Sequence, residues 1–184
     1  MILIRHGQSE FNVVFSATRR DPGIRDPRLT LEGRRQAKET AEALAGSGLG
    51  RLICSPYSRA IETAEIIADV LDLELAVDPL VGERAAFSCD VGSPPTELKR
   101  RWPALALEHL EEQWWPSLEE SEAALFERCR RFHQSMVEDS LWDHTGVVTH
   151  WGFILGITGL KVPNGTAVKV RPDRAGEVVH PRDP

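Results

Sequence analysis

Short, mainly apolar runs alternate along this chain with longer stretches in which apolar residues recur every three or four positions. Residues 1–5, Arg51 to Ser55, Leu73 to Val77, Gly146 to Thr149 and Thr166 to Val170 have strand length. The first of these reads as a short buried strand and the second as an apolar one, whereas Glu74 and Lys169 interrupt the third and the last. Thr30 stands as an N-cap before a helix through Gln36, Ala37, Ala41 and Leu44, which Gly46-Ser47-Gly48 stops. Ser58 is expected to cap a second helix with Ile61, Ala64, Ile67, Ala68 and Leu71 on one face. Further helices are predicted from Leu118 to Val137 and from Trp151 to Leu160, with a short one near Thr96 to Trp102. Two Asp-Pro steps and Gly23 mark Phe11 to Arg28 as a loop, and Arg171 to Pro184 reads as a charged, poorly ordered tail. Strands that alternate with helices predict a three-layer α/β/α sandwich with a mostly parallel central sheet. Residues 1–184 are expected to form one domain, with Leu80 to Leu118, where the periodicity weakens, covering a pocket.

Composition narrows the function classes. With 41% hydrophobic and 27% charged residues the chain has the make-up of an ordinary globular protein. Its 22 Lys+Arg against 28 Asp+Glu give a net charge of −6, which argues against bulk nucleic-acid binding. An anionic ligand would need positive charge gathered locally. Cys54, Cys89 and Cys129 are odd in number and lack metal-ligand spacing, the pattern of a reduced, cytoplasmic protein without a cofactor. No apolar run reaches the roughly 18 residues of a membrane span. Met1 to Ile4 is too short for a signal-peptide core, so Met1 is expected to be the functional N-terminus.

The chemistry gathers at strand ends. Ile2-Leu3-Ile4 delivers Arg5-His6-Gly7; Leu52-Ile53-Cys54 delivers Ser55-Pro56-Tyr57-Ser58-Arg59; Val147-Val148-Thr149 delivers His150. Open α/β sheets place their sites beyond the carboxyl ends of their strands, so two arginines, two histidines and a helix N-terminus converge on one edge. Each favours an anion, and the guanidinium fork matches phosphate. A lone strand-end histidine is usually structural, and Arg59 alone could merely solvate a helix start. A cation at that dipole end, however, calls for an anion to meet it.

The segments Arg5 to Asn12, Asp26 to Ala37, Ser55 to Ala64, Glu83-Arg84 and Val147 to His150 resemble, in order, the signatures of the histidine phosphatase, or phosphoglycerate-mutase-like, superfamily, RHG motif included. The resemblance implies His6 as a nucleophile that becomes phosphohistidine. It implies Arg5, Arg59, His150 and Asn12 as phosphate ligands, and Glu83 as proton donor to the leaving oxygen. No metal is implied. One departure is Trp151, where many members carry glycine directly after the second histidine; a tryptophan there would reshape the pocket. The expected function is a phosphomonoester phosphatase acting on a small phosphorylated substrate. The alternatives are a phosphoglycerate mutase and a non-catalytic phospho-ligand module.

The remaining residues have plainer readings. Glu62 and Glu65 read as a solvated helix face, and His109, His133, His144 and His180 as surface or structural. Trp114-Trp115 reads as packing for the middle segment. Lys99-Arg100-Arg101 also reads as a solvated face, although the resemblance offers Arg100 and Arg101, with Arg84, as partners for a second anionic group.

Overall fold

A computed structural model describes residues 1–173 and 175–180. Its six-stranded sheet has the order β3-β2-β4-β1-β5-β6. The four strands β1 (Ile2–Arg5), β2 (Arg51–Cys54), β3 (Glu74–Val77) and β4 (Thr145–Thr149) are mutually parallel. Two antiparallel strands, β5 (Ala167–Val170) and β6 (Gly176–His180), close one side. The sheet is therefore mostly parallel, as expected, and β4 at its centre is buried at every residue.

Alternation along the strands divides the core into two layers. Ile2, Ile4, Leu52, Cys54 and Val148 face one side, packing with α2 (Leu31–Leu44), α3 (Ser58–Leu71) and α4 (Pro95–Arg101). Leu3, Val147, Val168 and Val170 face the other, against α5 (Glu122–Val137) and α6 (Trp151–Thr158). The result is the α/β/α sandwich.

Four local expectations are corrected. Residues 11–18, read as part of a loop, belong to the helix α1 (Glu10–Thr18). A capping box starts it: Ser9 caps the amide of Asn12 while Asn12 Oδ1 accepts from Ser9 N at 2.9 Å. Ser58 is the first helical residue of α3 rather than its cap. The carboxylate of Asp26 caps that helix from outside, accepting from Ser58 N at 2.8 Å and Ser58 Oγ at 2.6 Å. Helix α5 starts at Glu122, behind an N-cap at Ser121, rather than at Leu118. Finally, residues 176–180 of the supposed tail are β6, paired to β5; residues 174 and 181–184 lie outside the described set.

The loop after β1 presses directly on α2. A Cβ on Gly7 would lie 2.3 Å from the carbonyl oxygen of Gly33, and one on Gly33 would lie 2.0 Å from that of Gln8. Only glycine at both positions permits this backbone crossing. It fixes the strand end that carries His6.

Candidate active site

The register brings the strand ends together. Arg5 lies opposite Thr149 in the β1–β4 pair and Cys54 opposite Val148 in β2–β4, so His6, Ser55 and His150 emerge side by side. The amides of His6 and Ser55 bond the carbonyls of Thr149 (3.0 Å) and Val148 (3.2 Å), which extends the ladder into the site. Beyond them opens a cavity of about 690 Å³, lined among others by Arg5, His6, Asn12, Arg59, Glu83, Arg84 and Trp151.

His6 is 3% exposed, and its Nδ1 lies 2.7 Å from the carbonyl oxygen of Gly7. A carbonyl only accepts, so Nδ1 carries the proton and Nε2 keeps its lone pair. Burial first, then Arg59 and Arg5, holds the imidazole pKa well below 6.5. The ring is thus a neutral base with a free nitrogen. Asn164 Nδ2 supports this turn, donating to His6 O at 3.0 Å and to Asn12 Oδ1 at 3.3 Å.

The cations are positioned by backbone and by one carboxylate. Arg5 donates from Nη1 to Val162 O at 2.6 Å, while its buried Nε has no partner. Burial, helped by the nearby Arg59, pushes its pKa down to about 10. Arg59, in the first turn of α3, donates to Cys89 O at 2.8 Å and to Asp90 Oδ1 at 3.1 Å, with its guanidinium 4.5 Å from the Tyr57 ring centroid. Burial opposes its charge, but the surrounding acidic groups outweigh that effect and raise its pKa. The anion that the helix-start arginine called for is in part supplied from within, by Asp90.

His150 lies deeper. It is fully buried, and its ring centroid is 5.0 Å from that of His6 and 5.1 Å from that of Tyr57. Its Nε2 is 2.5 Å from Ser55 Oγ, its Nδ1 is buried without a partner, and it is not part of the cavity wall. Burial, then Arg59, lowers its pKa well below 6.5.

Glu83 is half-buried on the cavity wall, where its Oε1 accepts from the amides of Arg84 and Gly152, both at 2.8 Å. Burial and then Asp90 raise its pKa, against the pull of the Arg84 amide and the two arginines. A raised carboxyl beside a lowered imidazole is the separation that acid and nucleophile roles need. Asn12 spends its amide oxygen on Ser9 and Asn164, which leaves its NH₂ as the free end of a wall residue.

Other expected contacts are redistributed. Arg84 and Trp151 line the cavity, and Arg84 is also tied to Glu120 O at 2.9 Å. Arg100 and Arg101 are not brought to the site. Arg100 is exposed on α4, and Arg101 bonds Ser58 Oγ (2.9 Å), Ser93 Oγ (2.6 Å) and Glu97 (2.9 Å), with Asp26 at 3.7 Å. Within the stretch Leu80 to Leu118, wall residues come from Glu83 to Asp90. The part from Leu98 to Trp114 packs against the α3 side of the sheet instead. Helix α1 and residues 161–164 supply the rest of the wall.

Glu62 is not a solvated residue. It is 3% exposed, and it accepts from Arg28 Nε (2.5 Å), Leu29 N (3.0 Å) and Arg34 (3.0 Å). Glu65 is half-buried and accepts from Trp102 Nε1. The pairings of Asp90 with Arg59, Asn164 with His6 and Asp26 with Ser58 were not read from the sequence, because each partner lies far along the chain. Among the described residues no three His, Cys, Asp or Glu side chains form a metal-holding group, and no helix is long and apolar enough to cross a membrane.

A model of the histidine phosphatase superfamily (branch 1) matches residues 1–172. The chain belongs to that superfamily. Among curated relatives, "Probable phosphoglycerate mutase GpmB" of Proteus mirabilis (strain HI4320) is 40% identical over 81 residues, covering 44% of this chain and 36% of the relative. The 2,3-bisphosphoglycerate-dependent phosphoglycerate mutase of Thermoplasma acidophilum is 40% identical over 79 residues, covering 42% and 37%. The matched stretch thus spans little more than a third of these relatives' own length. Among solved structures, the mycobacterial glucosyl-3-phosphoglycerate phosphatase Rv2419c in complex with VO3 has a TM-score of 0.66 at 22% identity, covering 97% of this chain and 96% of that one. At that identity the likeness is one of fold.

Proposed function

We propose that this histidine phosphatase hydrolyses phosphomonoesters through a phosphohistidine, without a metal. The observation that carries the reading is the state of His6: neutral, its Nδ1 committed to Gly7 O, its Nε2 free in a cavity walled by Arg5, Arg59 and Glu83. Nε2 attacks phosphorus as the P–O bond to the alcohol breaks, and Glu83 gives its proton to the leaving alkoxide. A water then attacks the phosphoryl group and gives a proton to Glu83, and the P–N bond electrons return to His6. The products are the alcohol and inorganic phosphate. Arg5 and Arg59 neutralise the phosphoryl oxygens throughout, with Asn12 and His150 as further donors.

A phosphoglycerate mutase is the second reading, favoured by the names of the sequence relatives. A mutase must shield its phosphohistidine from water and grip a second anionic group. The placement of Arg100 and Arg101 away from the cavity, and the engagement of Arg84 by Glu120, argue for hydrolysis.

Quench-trapping with a radiolabelled ester is expected to leave acid-labile, alkali-stable phosphate on His6. Label and turnover should vanish in His6→Ala and survive exhaustive chelation. Absence of label in an active wild type would reject the covalent route, and absence of both label and turnover would leave a binding module as the reading. Primer-dependent conversion of 3-phosphoglycerate to 2-phosphoglycerate faster than any phosphate release would establish the mutase instead.

A further inference from the structure

The phosphoryl chemistry uses one set of the cavity's lining residues, and another set is of a different kind. Phe11, Phe15 and Phe87 line the cavity as a ring cluster, with centroid separations of 5.2 Å (Phe11–Phe15), 5.8 Å (Phe11–Phe87) and 5.0 Å (Phe15–Phe87). Phe11 is buried beneath, whereas Phe87 stays 39% exposed and Trp151, also on the wall, 38% exposed.

The exposed ring of Phe87 sits on an anchored turn. Asp90 Oδ2 accepts from the amides of Ala86 (3.1 Å) and Phe87 (3.0 Å). Ser88 is held to Asp21 through its amide at 2.8 Å and through its hydroxyl. A turn fixed at both sides keeps the aromatic surface in the cavity, where water alone covers it poorly. A cavity of about 690 Å³ is also of the size that takes drug-sized ligands, far more than a phosphoryl group on a three-carbon acid requires.

We infer that this aromatic wall is a leaving-group subsite, and that the preferred substrates are phosphomonoesters of flat aromatic or comparably bulky apolar alcohols. The inference rests on the phosphatase reading of the site and adds the class of alcohol. Rings of Phe87, Phe15 and Trp151 offer faces and edges to a planar group, an arrangement that adds to simple area burial. The competing occupant is a small acid whose carboxylate meets Arg19 and Lys161, exposed cations on the same cavity.

The test separates binding from leaving-group reactivity. Calorimetry with two inert analogues, 2-phenylethylphosphonate and propylphosphonate, reads affinity alone. Turnover of 2-phenylethyl phosphate, propyl phosphate and 3-phosphoglycerate compares substrates that all leave as alkoxides. The expected result is about tenfold tighter binding of the phenylethyl analogue and a matching advantage in kcat/KM. In Phe87→Ala, and in the gentler Phe15→Leu, the phenylethyl-to-propyl ratio should fall toward one. Equal binding of the two analogues, or a ratio untouched by both variants, would overturn the inference. So would a preference for 3-phosphoglycerate that is lost in Arg19→Ala. Failure of the covalent chemistry is distinguishable: the phosphonate preference would persist in an enzyme on which no phosphohistidine can be trapped.

Discussion

The amide of Gly152 donates a 2.8 Å hydrogen bond to Oε1 of Glu83, and the missing side chain of Gly152 is what lets the two meet. A Cβ there would stand 2.3 Å from that oxygen. Gly152→Ala must therefore push the carboxylate aside. The carboxylate is the end of a flexible side chain, and alanine suits a helix better than glycine by roughly 1 kcal/mol, so stability should barely change. Turnover of an alkyl phosphate, which needs a proton donor, is expected to fall about 10²-fold, and that of p-nitrophenyl phosphate much less. Paired steady-state assays and a melting curve check this. An alanine variant with full alkyl-ester activity would show that Glu83 need not sit where it does.

The pH profile should carry both shifted groups. In the proposed mechanism His6 attacks as the neutral base, and burial with Arg59 and Arg5 holds its pKa well below 6.5, so the acid limb of kcat/KM is expected well below pH 6.5. As the proposed proton donor Glu83 would have to be protonated, and burial with Asp90 raises its pKa, so the rate is expected to fall as pH rises through a value above 4.5. Glu83→Gln should erase that basic limb for alkyl esters. Stability has its own sign. His6 and His150 are buried with depressed pKa values, so the unfolded chain binds more protons below pH 6.5. Their contribution is fully present above pH 6.5 and is lost as the pH falls through the window beneath it. Melting temperatures measured across that window should decline with acid, and less steeply in a His6→Ala variant.

What the sequence revealed and what it hid divide along physical lines. The strands and the helices α2, α5 and α6 are legible because their apolar spacing is local. The convergence of His6, Arg59 and His150 follows because parallel strands share one carboxyl edge. Helix α1 was obscured because Gly23 and two Asp-Pro steps dominate the same stretch, although Ser9 and Asn12 carry its capping signal. Glu62 looked like a solvated residue because its partners Arg28, Leu29 and Arg34 lie about thirty positions earlier. Asp90 and Arg101 were misjudged or missed for the same reason: long-range pairing leaves no periodicity to read.

Glu62 provides a direct test of that difference. On a solvated face, Glu62→Ala would be neutral. In the folded protein it instead leaves the amide of Leu29 without its acceptor, which costs about 1–3 kcal/mol. The ion pairs add little, because Arg28 and Arg34 are 57% and 44% exposed. For a chain of this size the melting temperature should drop by roughly 3–10 °C. Calorimetry that shows no change would return Glu62 to the surface reading.

Ser55 and His150 give the last prediction. The neutral His150 ring holds one proton, and Ser55 Oγ, 2.5 Å from Nε2, can either donate to that nitrogen or accept from it. Were the proton on Nε2, the unpartnered Nδ1 would carry a lone pair, which under the proposed chemistry would repel a phosphoryl group on the neighbouring His6. A phosphoryl group carried by His6, whose ring centroid lies 5.0 Å away, needs a donor there instead. The Ser55 hydroxyl must then donate to Nε2, which fixes the proton on Nδ1. Ser55→Ala removes that control and leaves Nε2 unsatisfied, at about 1–3 kcal/mol in stability. It is expected to lower kcat roughly 10–10²-fold by misplacing the proton. Ser55→Thr keeps the hydroxyl and should restore most of the rate. Nitrogen chemical shifts of ¹⁵N-labelled histidine, read with orthophosphate bound, should show a protonated Nδ1 on His150 in the wild type and a mixture in Ser55→Ala. A wild-type ring protonated at Nε2 with phosphate in place would remove His150 from the phosphoryl-binding group and leave it a structural support for His6.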